Sequence, residues 1–181
     1  MDPQVAFILA QCISIGTGIM AIALMQFKNM KLILLFQILS NLLASSNYLL
    51  LDGGSGAIVS LLAVLCAIVM FFYNTKQMRP HLIVAIAFIC AFTGCSIYNI
   101  VVTLDFFELI PAFGAFCFVM SLIQTKPSIF RIWGALNPLF WIPYDIYTTS
   151  YVMMLVHSGI FISSLIGIIR LDGWGKKKVG Y

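Results

Sequence analysis

The stretch Trp133-Gly-Ala-Leu-Asn-Pro-Leu-Phe-Trp-Ile-Pro-Tyr144 lies inside a long apolar run, yet it carries an Asn, two prolines, two Trp and a Tyr, with Asp145 next. Hydrocarbon penalises polar side chains and unpaired backbone groups. Residues of this kind in a would-be spanning helix therefore need a reason other than spanning.

The surrounding chain makes the membrane the frame for that reason. It is 62% hydrophobic and only 9% charged, where a water-soluble domain carries about a quarter charged residues. Length is better counted in spans of roughly 20 residues than in soluble domains. Seven apolar runs emerge, at about 5–27, 31–51, 56–74, 81–102, 105–124, 129–148 and 151–170. Gly, Pro, Ser and charge collect in the joints between them, as turn chemistry requires. The first run follows Asp2 with no basic stretch before it, so it reads as a retained helix rather than a cleavable leader.

Charge placement tests the partition. With seven spans, the joints after spans one, three and five share a side with the C-terminus. That side takes Lys28, Lys31, Lys76, Arg79, Lys126, Arg131, Arg170, Lys176, Lys177 and Lys178, which are all ten Lys and Arg. The opposite side takes Asp2, Asp52, Asp105, Glu108 and Asp145, leaving Asp172 as the one acid among the bases. The positive-inside rule then puts the N-terminus outside and residues 171–181 in the cytoplasm as a tail.

The opening stretch has a fainter copy. A shift of 96 residues lays Asn41 on Asn137, Tyr48 on Tyr144 and Asp52-Gly-Gly on Thr148-Thr-Ser; a shift of 98 lays Gln26-Phe-Lys28 on Gln124-Thr-Lys126 and Gly16 on Gly114. The expected fold is therefore an all-α polytopic membrane protein, one integral domain over 1–181. Two parallel three-helix repeats, 5–74 and 105–170, are joined by a linker helix at 81–102 in a 3+1+3 plan.

Polar residues recur at helical spacing in matched spans: Gln37, Asn41, Ser45 and Tyr48 in the second, and Asn137, Trp141 and Tyr144 in the sixth. They line a shared hydrated cavity on one reading, and glue helices together on the other. Isolated Ser and Thr fit the second. Pro138 and Pro143 should bend or interrupt span six, and Pro111 could do the same in span five. Trp141, away from the interfacial belt, stacks on a solute ring or fills a groove between helices. Asp145 and His157 fall at similar depth across a tight turn, which makes them a candidate proton-linked pair; otherwise Asp145 meets headgroup water and His157 caps a carbonyl.

The five cysteines, all within apolar runs and without metal spacing, read as small buried thiols. No hydrolase elbow, zinc-protease or phosphate-loop pattern occurs, so enzyme activity, cofactor and metal are not expected. A basic tail on a lipid-facing surface points to anionic lipid rather than nucleic acid. The sequence sets no oligomeric state.

At Leu136-Asn-Pro-Leu-Phe-Trp141-Ile-Pro-Tyr144, through Ser150-Tyr151 to Ile168-Ile-Arg170-Leu-Asp172, the chain resembles the bacterial YgjV-like inner membrane proteins. Their pattern of Asn-x3-Trp-x2-Tyr-Asn, a small-residue turn and a helix ending Gly-Ile-x-Arg is met by Asn137, Trp141, Tyr144 and Arg170. Asp145 stands where Asn is commoner, and Pro138 and Pro143 are departures. The resemblance implies a bacterial inner-membrane location. More distantly, the 3+1+3 plan looks like that of SWEET-type sugar facilitators and PnuC-type vitamin transporters, a fold-level analogy. The expected function is passage of a small polar or aromatic solute past Asn41, Tyr48, Asn137, Trp141 and Tyr144. The alternative is a non-transporting membrane scaffold or assembly partner.

Overall fold

The computed structural model describes residues 3–50, 54–147 and 151–172, without the side chains of Pro3, Tyr48, Ser55, Glu108 and Tyr151. The turns at 51–53 and 148–150, Trp174 and the Lys176–Lys178 cluster lie outside the described residues. Within that range the fold is all helix: α1 Pro3–Ala23, α2 Met30–Leu50, α3 Gly54–Thr75, α4 Leu82–Thr103, α5 Ile110–Leu122, α6 Pro127–Tyr147 and α7 Tyr151–Leu171. Short 3-10 turns at Leu24–Gln26 and Phe106–Leu109 extend the end of α1 and precede α5.

Local chemistry sets the ends. Asn29 Oδ1 accepts from the Lys31 N–H at 2.9 Å and starts α2. Leu104, in the left-handed region at φ 57°, closes α4 with its N–H on the Ile100 carbonyl at 2.7 Å. Asp105 then takes the Phe107 N–H at 2.9 Å and opens the next turn.

Four helices are long and apolar enough to cross a bilayer among the described residues: Gln4–Gln26, Ala57–Thr75, Leu82–Thr103 and Val152–Leu171. Helices α2 and α6, at 21 residues each, have the length; Asn and Ser in α2, and Arg131, Asn137 and Asp145 in α6, make them the more polar members. The expected span 105–124 is not one continuous helix. It divides into a 3-10 turn of 4 residues and a helix of 13, about 8 Å and about 20 Å long. Large side chains cover the outside, with Phe106 82% and Ile83 78% exposed. So much outward apolar surface is built for lipid, not water.

Helix α2 packs against α1 and α3, and α6 packs against α5 and α7. Helix α4 rests on α5 and touches α3 lightly, while α1 meets α7. The buried apolar core gathers at one end, where Leu24, Met25, Met30, Ile33, Met70, Leu122 and Phe130 come together. This is the end that carries the basic joints.

No interruption falls at the two α6 prolines, and not every cysteine is buried. Helix α6 runs unbroken through Pro138 and Pro143, because α5 and α7 hold it on both sides and outweigh two missing N–H donors. Pro111 sits in the first turn of α5, where a missing donor costs nothing. All five cysteines are free; Cys66 and Cys117 are buried, but Cys12 and Cys90 face outward. An apolar thiol loses little by facing lipid.

At the basic end Arg131 is buried to 1% exposure and ties three segments together. Its Nη1 pairs with Asp172 Oδ1 at 2.7 Å, its Nε donates to the Met25 carbonyl at 2.7 Å, and Nη2 donates to the Phe27 carbonyl. The start of α6 is thereby fixed to the end of α1 and the end of α7. Substituting Arg131→Ala strands Asp172 and two carbonyls. The expected loss is about 3–5 kcal/mol, read as a lower melting temperature in detergent. Arg131→Lys should recover only part of it, because an ammonium lacks the planar fork.

Candidate functional site

Spacing along α6 puts Asn137, Trp141 and the Tyr144–Asp145 pair on one side of the helix, one turn apart. The first two converge on one residue of α5. Asn137 Nδ2 donates to the Gly114 carbonyl at 2.7 Å. The Trp141 ring occupies the space beside Gly114, where a Cβ would lie 2.5 Å from Nε1. A glycine is required there: any side chain would expel the indole.

Asp145, only 4% exposed, reaches across to α7, where its Oδ2 lies 2.6 Å from His157 Nδ1. Trp141 stacks on the imidazole, with ring centroids 5.5 Å apart and planes 17° from parallel. Tyr144 meets Trp141 edge-on at 5.9 Å. The carboxylate and imidazole satisfy each other in a setting that would heavily penalise either alone. The contact through Nδ1 turns the imidazole toward the carboxylate and leaves Nε2 on the far side of the ring. Asp145 sits two residues before the end of α6, so the pair lies nearer that end of the bundle than its middle.

The same end is closed by a second carboxylate. Tyr147 Oη donates to Asp105 Oδ2 at 2.6 Å, and Phe107 stacks on the Tyr147 ring at 4.2 Å. The Tyr147 hydroxyl, followed by the Phe107 N–H, holds the Asp105 carboxyl below the usual carboxylate range.

The first-half counterparts behave differently. Asn41 Nδ2 donates to Gln37 O within its own helix at 2.8 Å, and no described hydrogen bond joins it to Asn137. Ser40 donates to Thr17 O and Ser45 to Ala57 O, both at 3.4 Å, as interhelical glue does. Two cavities are prominent, and neither is lined by Asn41, Asn137 or Trp141. One, of about 590 Å³, opens among the basic joints; the other, of about 270 Å³, lies between α3 and α4 beside Gly94 and Tyr98. Among the described residues no group of three His, Cys, Asp or Glu could hold a metal ion.

Sequence reasoning did not find how α1 seats on α7. Gly159, Ser163 and Gly167 recur every fourth residue on α7: Ile22 fills the space beside Gly159, and the Met25 carbonyl that beside Gly167. Ser163 Oγ donates to Ile22 O at 2.8 Å, and Gln26 Nε2 donates to Ser163 Oγ at 2.9 Å. The small-residue spacing was the available signal. Arg131 was placed only as a basic-side charge; its signal was Asp172, the one acid on that side.

Two outcomes follow from these contacts. In a chain whose other two tryptophans are Phe, Gly114→Ala should displace Trp141, shift its fluorescence and cost about 1–3 kcal/mol. Substituting Tyr147→Phe should raise the Asp105 titration toward its ordinary value, measured by carboxyl-carbon NMR. Because the folded-state value is depressed, the stabilisation from this contact is present at neutral pH and lost as pH falls below about 4.

Among curated proteins and among solved structures, nothing matches the chain. Residues 8–174 match the family Imp-YgjV, described as bacterial inner membrane protein. The match covers nearly all of the chain, including the Asn137–Tyr144 segment and the Asp145–His157 pair. Its outward apolar helices and its family agree, and the chain belongs to the Imp-YgjV family of bacterial inner membrane proteins.

Proposed function

We propose that this inner membrane protein is a proton-linked carrier for a small polar or aromatic solute. The observation that carries the reading is the buried Asp145–His157 pair beneath Trp141. Ionisable groups inside apolar helices are costly and are retained where they handle ions or protons. Solute would pass beside Asn137, Trp141 and Tyr144; Asn41 is the first-half candidate for the lining, and the Tyr48 side chain lies outside the described residues. Trp141 lodged at Gly114 makes this conformation an occluded one: α5 and α6 must part to admit a ligand.

In the proposed topology all seven helices cross the membrane, with the N-terminus outside and the C-terminus in the cytoplasm. Lys28, Lys31 and Arg79 come from two different joints yet line one recess, which supports putting those joints on a single, positive side. The 3+1+3 plan draws support from α2 and α6, each packed between its two sequence neighbours, and from α4 lying apart from α3. The 3-10 turn and α5 together measure about 28 Å, close to the hydrocarbon thickness of about 30 Å.

A second reading, a non-transporting scaffold, is favoured by one specific observation: Trp141 fills the α5–α6 groove completely enough to exclude a Cβ. Reconstitution into vesicles carrying a pH-sensitive dye separates the two. For a carrier, one member of a panel of small polar and aromatic solutes drives proton movement. His157→Gln abolishes that movement, and Asn137→Ala weakens solute affinity about tenfold through one lost hydrogen bond. For a scaffold, no solute moves protons and both substitutions change only the melting temperature.

A further inference from the structure

The cavity of about 590 Å³ at the basic end has a composition unlike the rest of the bundle. Three joints far apart in sequence meet there: Lys28, Asn29 and Lys31 from between α1 and α2, Asn74, Gln77 and Arg79 from the end of α3, and the segment leading into α6. Its lining holds three cations, three side-chain amides and no Asp or Glu. All three cations are exposed, and none has an ion-pair partner among the described residues. Arg131, close by in the same end, is by contrast neutralised by Asp172.

Three like charges drawn to one recess repel one another, and among the described residues no acid lines it. An anion would relieve that repulsion. The volume lies within the roughly 300–1,000 Å³ of ordinary ligand pockets, far more than a single inorganic ion fills. Lysines give point charges and Arg79 a planar fork, the donor set that suits phosphate oxygens. Buried Met30 forms an apolar floor, and the recess opens at the helix ends, which the proposed topology sets at headgroup depth.

We infer that this recess binds a phosphate ester, with Lys28, Lys31 and Arg79 holding the phosphate and Asn29, Asn74 and Gln77 donating to the rest of the group. Two sources offer that chemistry at this depth: the headgroup of an anionic phospholipid and a soluble phosphate ester from the cytoplasm. Basic pockets at the cytoplasmic ends of helices take headgroups in this way. The site is separate from the Asp145–His157 pair and does not depend on any solute being carried.

The test uses the full chain in neutral detergent, titrated with phosphatidylglycerol against phosphatidylcholine, with bound lipid counted by native mass spectrometry. Phosphatidylglycerol should raise the melting temperature saturably with one lipid retained, and phosphatidylcholine should not. Combined Lys28→Gln, Lys31→Gln and Arg79→Gln should weaken that binding on the order of a hundredfold. Neutralising Lys176, Lys177 and Lys178 should leave it within about twofold. Lys31→Gln alone, at an exposed position, serves if the triple variant folds poorly and should cost about fivefold. Glycerol 3-phosphate is the competing arm: if it displaces the lipid from the wild type, the occupant is soluble; if it does not, the occupant is the headgroup. Binding that survives loss of the three charges, or that falls equally with the tail lysines, overturns the proposal.

Discussion

A guanidinium buried among apolar helices is the constraint on which the arrangement of this protein depends. Arg131 cannot stay charged at 1% exposure without partners. The partners it finds, two carbonyls at the end of α1 and the carboxylate of Asp172, belong to segments more than 100 residues before it and about 40 after. Satisfying one side chain thus sets the position of α6 against both ends of the chain. Lipid provides no hydrophobic drive between helices, so hydrogen-bonded fixtures and close packing must supply the specificity. The buried core of Leu24, Met25, Met30 and Phe130 surrounds this fixture.

From that anchored end, α6 runs toward the opposite side carrying its polar residues in sequence. Gly134 lets Met25 approach, Asn137 and Trp141 settle on Gly114, and Asp145 meets His157. Each step uses either a missing Cβ or a hydrogen bond, and the two prolines are absorbed because neighbours hold the helix on both sides. The α1–α7 contact follows the same logic through Gly159, Ser163 and Gly167.

Helix number and extent were largely legible, because 20-residue apolar runs punctuated by Gly, Pro and Lys have few other interpretations. The start of the fifth segment was less so, since Asp105 and Glu108 interrupt its apolar run and the Asp105 cap opens a 3-10 turn there. For the site, the closeness of Asp145 and His157 could be reasoned from depth on adjacent helices. The seating of Trp141 could not: composition says nothing about which glycine faces an indole. The partners of Arg131 were not legible for a related reason. A charge tally assigns it to a side of the membrane, whereas its burial depends on where α1 and α7 end.

Positions that align between the two halves of the sequence do not keep the same kind of partner. Gly16 and Gly114 align, yet a Cβ on Gly16 meets nothing within 4 Å while Gly114 holds Trp141. Gln26 reaches Ser163 on α7, whereas its counterpart Gln124 bonds back to Met120 in its own helix. Asn41 likewise turns inward to Gln37 and Asn137 outward to Gly114. A polar side chain bonded within its own helix is a stable bystander, but one bonded across a groove registers whether that groove is open. Asn137 on α6 meets this criterion, as do Gln26, Ser40 and Ser45 elsewhere, and Trp133–Tyr144 is awkward for hydrocarbon because its residues make contacts that two helices have to share.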